Sequence, residues 1–150
     1  MNKIREAAIN DLNGLSKLFD DYRIFYEKES DRPGASKFLE ERMLKKESVI
    51  FVSENSEHVL TGFVQLYPIF SSTRMKKLWL LNDLFVVPEF RGQQISIRLI
   101  DAAKEHAVKT KACGLMLETA KSNGIGNSLY PRTGFVLDTE FNYYYWDNNR

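Results

Sequence analysis

Apolar residues recur along the chain in two rhythms, and the switches between them mark the elements. Ile9, Leu12, Leu15, Leu18, Phe19, Tyr22, Phe25 and Tyr26 fall at three- and four-residue spacing, which predicts an amphipathic helix with Asn10 or Asp11 as cap. A shorter helix is predicted over ASKFLEERMLKKE, after Pro33-Gly34. KIREA reads as a first strand. SVIFVSE and HVLTGFVQLYPIF read as two strands joined by the polar turn ENSEH, a hairpin. KLWLLNDLFVV is apolar on both faces, the mark of a strand in the middle of a sheet. From Gly92 to Thr110 the helical rhythm returns through Ile95, Leu99, Ala102, Ala103 and Ala107. CGLMLET then predicts a buried strand, GIGNSLYPR a short helix stopped by proline, and GFVL and EFNYYYW two closing strands.

This order mixes an antiparallel meander with one βαβ unit. It predicts an α/β (α+β) fold, one domain over residues 1–150, with helices covering a mixed sheet and a right-handed crossover through the 92–110 helix. Composition narrows the function classes. With 43% hydrophobic and 27% charged residues the chain has the makeup of a globular protein. Its 150 residues can bury roughly 70% of the unfolded surface without a metal or disulfide. Twenty-one basic against 20 acidic residues leave a formal charge of +1, so no global field favours nucleic acid or anionic lipid. The N-terminus lacks an apolar signal core, and LWLLNDLFVV falls short of the roughly 20 residues of a membrane span. The expectation is a cytoplasmic protein with no nucleic-acid or membrane partner.

The lone Cys113 reads as a small buried hydrophobe before it reads as a reactive thiol. His58 and His106 share no spacing with it or with each other, so no metal site is expected.

The stretch VVPEFRGQQISIRL carries the candidate chemistry. A strand ends at Pro88, Arg91-Gly92 follow, and a helix begins. The first turn of a helix leaves backbone N–H groups unpaired, and its dipole places roughly half a positive charge there, which suits a phosphate. A loop that merely caps a helix fits "RG" alone equally well. The longer register decides between them: LNDLFVVPEFRGQQISIRLI, then LETAKSN, then NGIGNSLYPRTGF. This resembles the GNAT superfamily of N-acetyltransferases, in which V-x-P precedes [RQ]-x-x-G-x-[GA] at a helix start. An Asn follows further on, and seven residues after it a Tyr with x-x-x-G-[FY]. Arg91, Asn123, Tyr130, Gly134 and Phe135 stand in that register, and the look is nearest to the small-amine and polyamine branch.

The resemblance implies a GNAT-like sheet of six to seven strands with about four helices, and acetyl-CoA as co-substrate without a metal. It places the pyrophosphate and pantetheine on Leu84, Phe85, Val86, Arg91, Gly92, Gln93, Gln94, Ile95, Ser96 and Asn123. Arg98 adds charge nearby. Two positions depart from the pattern: Gln94 stands at the first cradle glycine and Ser96 at the second small residue. Neither is proline, so both backbone donors survive. With an ordinary helical φ expected at 94, glycine there serves space and not conformation, and the cost of Gln94 is steric.

Acetyl transfer to an amine needs a free nucleophile, a donor for the oxyanion and an acid for the departing thiolate. A thiol near 8.5 and a tyrosine near 10 make Tyr130 a fitting general acid, the role the resemblance gives it; a packing tyrosine is the bland alternative. Asp83, among large apolar neighbours, either holds the ammonium and accepts its proton or ties down a bulge. Relatives among polyamine enzymes have a second acid where Asn82 stands, which weakens the case for a dicationic acceptor. Glu118 is the alternative base. Asn123 bonds the pantetheine arm or simply forms a turn. The oxyanion donor is expected at a backbone N–H near Phe85 or Val86.

The sequence thus predicts an acetyl-CoA-dependent N-acetyltransferase acting on a primary amine, small or lysine-like, by direct attack in a ternary complex. A non-catalytic acyl-CoA sensor, or a different CoA-thioester chemistry, are the alternatives. Aromatics in NYYYW leave a homodimer open.

Overall fold

The computed structural model describes residues 1–150, in two compact units, Met1–Glu118 and Thr119–Arg150. The first holds β1 (Lys3–Glu6), a 3-10 turn (Ile9–Asp11), α1 (Leu12–Phe25), α2 (Arg32–Leu44), β2 (Val49–Glu54), β3 (Leu60–Ser71), β4 (Lys76–Val86), a second 3-10 turn (Pro88–Phe90), α3 (Ile95–Lys109) and β5 (Leu115–Met116). The second unit holds α4 (Gly124–Arg132).

The sheet order is β1-β2-β3-β4-β5, antiparallel up to β4, with β5 parallel to β4. The meander and the βαβ unit are both present. Three expectations need correction. The middle strand is β3, whose residues Thr61–Leu66 are all buried; β4 is one place nearer the edge. The sheet has five strands, not six or seven: Gly134–Leu137 and Glu140–Trp146, expected as strands, have no strand conformation. The strand expected over 113–119 pairs only at Leu115 and Met116, and Met116 is half exposed.

The apolar stripe of α1 explains one face of the core. Leu15, Leu18 and Phe19 pack with Ala35 and Leu39 of α2 against Ile50, Val52, Phe63 and Phe85 of the sheet. α2 starts at Arg32, three residues before the expected Ala35, with Pro33 inside its first turn, and Asp31 caps it by accepting from the Gly34 N–H at 2.9 Å. α3 covers the opposite face with Leu99, Ile100, Ala103 and Ala107. Gly62 of β3 permits the close fit, since a Cβ there would come within 2.8 Å of the Phe85 carbonyl oxygen and 3.4 Å of Leu99. Arg5 links β1 to β2 and to the start of α1 through Glu54 and Asp11.

Candidate active site

The pairing of β3 with β4 slips once. Gln65 faces Asp83 but Leu66 faces Leu81, so Asn82 is an extra residue, a β-bulge. A bulge reverses the side-chain alternation, and here the reversal is visible. Trp79, before it, meets the α3 side: its ring lies 4.8 Å from His106, and its Nε1 donates to Thr110. Asp83 and Phe85, after it, meet α1. Without Asn82 the odd-numbered positions would stay on the α3 side. The bulge aims Asp83.

Asp83 is 4% exposed and surrounded by donors. Gln65 Nε2 donates to its Oδ2 at 2.7 Å, Asn82 Nδ2 to its Oδ1 at 3.1 Å, and the Tyr22 hydroxyl from α1 also bonds it. Burial nevertheless pushes its carboxyl above the usual carboxylate range, and the three hydrogen bonds only partly offset this. Next along β3, the Tyr67 phenol is also pushed up, by burial first and then by the charge of Asp83. Gln65 itself is fully buried and its Oε1 has no partner.

Beyond the bulge the two sides of β4 differ. The Val87 N–H donates to the Thr61 carbonyl at 2.9 Å, and antiparallel alternation then turns the backbone groups of Asp83 and Phe85 toward β3 and those of Leu84 and Val86 away from it. On that outer side β5 pairs with β4 only at Trp79 and Leu80. The edge from Leu84 to Val86 is therefore open. Of the two expected oxyanion donors, Val86 fits and Phe85 does not, because the Phe85 N–H belongs to the β3 ladder. Arg91 Nε takes the Val86 carbonyl at 2.9 Å, and its guanidinium lies 5.3 and 5.6 Å from the Phe25 and Phe85 rings. Arg91 thereby fastens the loop between β4 and α3 to the strand end.

That loop corrects the reading of Gln94. It is not in the helical first turn but at the N-cap of α3, with φ 61° and ψ 18°, the left-handed region. Glycine serves conformation at this position, and Gln94 holds it under strain. Gly92 is also left-handed, with φ 77°, and a Cβ there would meet nothing within 4 Å, so the loop is open above it. The helical ladder begins with Arg98 N–H to the Gln94 carbonyl at 3.1 Å, which leaves the N–H groups of Ile95, Ser96 and Ile97 without helical partners. No side chain caps them. Exposed Gln93 and half-buried Ser96 flank this end, while Ile95 is buried and anchors it. Arg98 does not add charge to it: Arg98 Nη1 donates to the Asn2 carbonyl at 2.7 Å.

Glu118 lies two residues past the end of β5 and is exposed. Asn123 of the second unit caps α4: its Oδ1 accepts from Gly126 N–H at 3.1 Å and its Nδ2 donates to Thr119 at 2.9 Å. The Tyr-x-x-x-Gly-Phe register has a physical cause. Phe135 N–H bonds the Tyr130 carbonyl and Gly134 N–H the Pro131 carbonyl, the paired bonds of a Schellman stop, with Gly134 at φ 93°. The rings of Tyr130 and Phe135 meet edge-on at 5.8 Å, which fixes the Tyr130 ring. Sequence reading missed Gln65, which had a signal, a lone amide inside the buried run GFVQLY; Tyr22 belongs to the run DYRIFY, whose aromatics read as core packing before they read as pocket lining, and its bond to Asp83 had no signal.

The model of the acetyltransferase (GNAT) family matches residues 15–135. The chain belongs to this family. It is an acetyl-CoA-dependent acyltransferase. The uncharacterized N-acetyltransferase YhfO of Bacillus subtilis (strain 168) is 43% identical over 141 residues, 94% of each chain. The crystal structure of a probable acetyltransferase, 38% identical, superposes over 99% of both chains with a TM-score of 0.94. At 16% identity, the predicted acetyltransferase from Clostridium acetobutylicum solved with acetyl-CoA shares the fold, with a TM-score of 0.78 over 97% and 96% of the two chains. No helix of this chain is long and apolar enough to cross a membrane.

Proposed function

We propose that this acetyltransferase, a single functional domain over residues 1–150, transfers the acetyl group to a primary amine by direct attack in a ternary complex, with Asp83 as base. One observation carries the reading: the bulge at Asn82 turns a buried carboxylate, held by Gln65, Asn82 and Tyr22, to the point where β4 loses its outer partner. An acceptor ammonium with a lysine-like pKa near 10.4 must lose a proton before it attacks. A carboxylate whose own proton affinity is raised by burial is better matched to that transfer than an exposed one. Asp83 is therefore favoured over Glu118.

The donor end fits the residues present. Free N–H groups of Ile95, Ser96 and Ile97, the open approach over Gly92 and the left-handed turn at Gln94 make a concave row of donors for a pyrophosphate. The outward N–H and C=O groups of Leu84 can take an amide of a pantetheine arm in the manner of an added strand. Bound there, acetyl-CoA supplies the activated acyl group. The Val86 N–H is the oxyanion donor, and Tyr130 protonates the leaving thiolate, both roles following the family register. With a single carboxylate and Asn82 beside it, the acceptor is a monoamine, either small or a peptide lysine, and not a dicationic polyamine.

The test is thiol release from acetyl-CoA across a panel of monoamines, polyamines and lysine peptides, with wild type and Asp83→Asn. Turnover on monoamines that falls on a pH profile set by Asp83 supports the reading. Full turnover by the Asn variant removes Asp83 as base.

A further inference from the structure

Asp83 is 4% exposed, so an acceptor at the surface of the sheet does not touch its carboxylate. A proton leaving that acceptor must pass through a side chain already bonded to Asp83. Three side chains are: Gln65, Asn82 and Tyr22. Gln65 is fully buried, and Asn82, though exposed, bonds Asp83 through an amide N–H as Gln65 does. Such a group donates hydrogen bonds but has no lone pair basic enough to take a proton in return. The Tyr22 hydroxyl can do both, since its oxygen accepts while its hydrogen is given. Tyr67 senses the charge of Asp83 but bonds the Gln65 amide, so it has no direct path to the carboxylate.

The setting of Tyr22 fits this use. It is half-buried in the last turn of α1, and its ring meets Tyr26 edge-on at 5.0 Å, Phe63 at 5.8 Å and Phe85 at 6.1 Å. Phe25 closes the group, at 5.4 Å from Tyr26 and 6.2 Å from Phe85. Phe25 and Tyr26 are 58% and 48% exposed, so the four rings run from solvent to the bond between Tyr22 and Asp83. Phe85 stands between Leu84 and Val86, on the segment of β4 that lies beyond its pairing with β5. The Arg91 guanidinium already borders Phe25 and Phe85, at 5.3 and 5.6 Å. A second cation, the acceptor's ammonium, is therefore favoured at the Tyr22 end, beside the carboxylate.

We propose that the Tyr22 hydroxyl touches the acceptor amine and relays its proton to Asp83. This rests on the assignment of Asp83 as base. An N–H bond of the ammonium breaks, its electron pair stays on nitrogen, and the proton bonds the Tyr22 oxygen. In the same motion the Tyr22 O–H bond breaks and its proton passes to a carboxylate oxygen of Asp83. Tyr22 is neutral before and after, the amine is free to attack, and Asp83 holds the proton.

Kinetics at neutral pH with primary amines of falling basicity, from butylamine through ethanolamine to trifluoroethylamine, test the relay. Tyr22→Phe keeps the ring contacts and removes the hydroxyl. Its kcat should fall by about 10²–10⁴-fold on butylamine and by progressively less down the series, because a weakly basic amine arrives already neutral. A tyrosine that only packs would lower all three by one factor, and that result would overturn the proposal. Asp83→Asn should show the same gradient, and the double variant should lose no more than the worse single one, since both act on one proton. Thermal melts and desulfo-CoA titration of each variant confirm that the fold and the donor end are intact. Mixtures of light and heavy water separate a relay from a tyrosine that merely positions Asp83. With butylamine, wild-type turnover should fall along a curve as deuterium rises, the mark of two hydrogens in flight. A straight line would mean that the amine gives its proton to Asp83 directly. Full turnover of butylamine by Asp83→Asn would remove the base and the relay together, whereas a gradient in Asp83→Asn without one in Tyr22→Phe would remove the relay alone.

Discussion

Gln65 and Asp83 face each other across β3 and β4 and are joined side chain to side chain at 2.7 Å, one fully buried and the other nearly so. The amide satisfies one carboxylate oxygen, but it cannot replace the hydration that a charge loses on burial. Asp83 therefore holds its proton more tightly in the folded than in the unfolded chain.

The consequence for stability has a definite sign. Between the unfolded value near 3.9 and the raised folded value, the native state binds the extra proton, so stability falls as pH rises through that window and stays lower above it. Asp83→Asn removes this loss and can keep the bond to Gln65 with its own carbonyl. At pH 7 the variant should melt higher, by roughly 2–4 °C for each kcal/mol gained, and below pH 4 the difference should vanish. Its kcat should fall by about 10²–10⁴-fold. A melting point unchanged at pH 7 would show that burial does not strain this carboxylate.

Gln94→Gly tests the left-handed N-cap. Relief of the positive φ should stabilise the fold by about 1 kcal/mol, opposite to the usual effect of glycine near a helix. Gln94→Ala keeps the strain while removing the side chain. Paired thermal melts separate the two causes, and titration with desulfo-CoA reads the effect on the cradle. A gain with Ala as large as with Gly would return the cost to the side chain's bulk.

His106 offers an opposite pH dependence. Its ring lies between Trp79 and Phe51, its Nε2 has no partner, and burial lowers its pKa, with Lys77 and Lys109 adding to the effect against Glu6. A depressed histidine contributes stability that is complete above the unfolded value near 6.5 and is lost as pH falls below it. The melting temperature of wild type minus that of His106→Leu should therefore drop between pH 7 and pH 5. A flat difference would mean that the ring is hydrated when charged.

Much of this was legible in the sequence, because the signals are local. Helix stripes, the hairpin and the V-x-P turn depend on near neighbours, and α1, α3 and α4 fall within a few residues of their expected places. What was not legible depends on partners distant in the chain. An apolar run such as LWLLNDLFVV cannot say whether one strand or two lie beyond it, and Asn82 cannot announce a bulge without the β3 register. Gln94 was misread because its conformation is set by the loop that Arg91 fastens, not by its helix propensity. GFVL and EFNYYYW have a strand's pattern but form no strand, because the pattern says nothing of a partner edge.

Tyr130 and Gly134 form one unit, and two substitutions separate its parts. Tyr130→Phe keeps the ring contact with Phe135 at 5.8 Å and the carbonyl that closes the helix stop, so α4 should keep its end. What goes is the hydroxyl, and as general acid its loss should lower kcat by about 10²–10⁴-fold, with the acetyl-CoA KM changed far less. Gly134→Ala does the reverse. It forces a Cβ into φ 93°, loosens the Schellman bonds and should cost about 1–2 kcal/mol of stability. Turnover by that variant falls only as far as the Tyr130 ring is freed. Steady-state kinetics beside thermal melts distinguish the two, and full activity in Tyr130→Phe would remove the tyrosine from the chemistry and leave it as the ring that Phe135 holds.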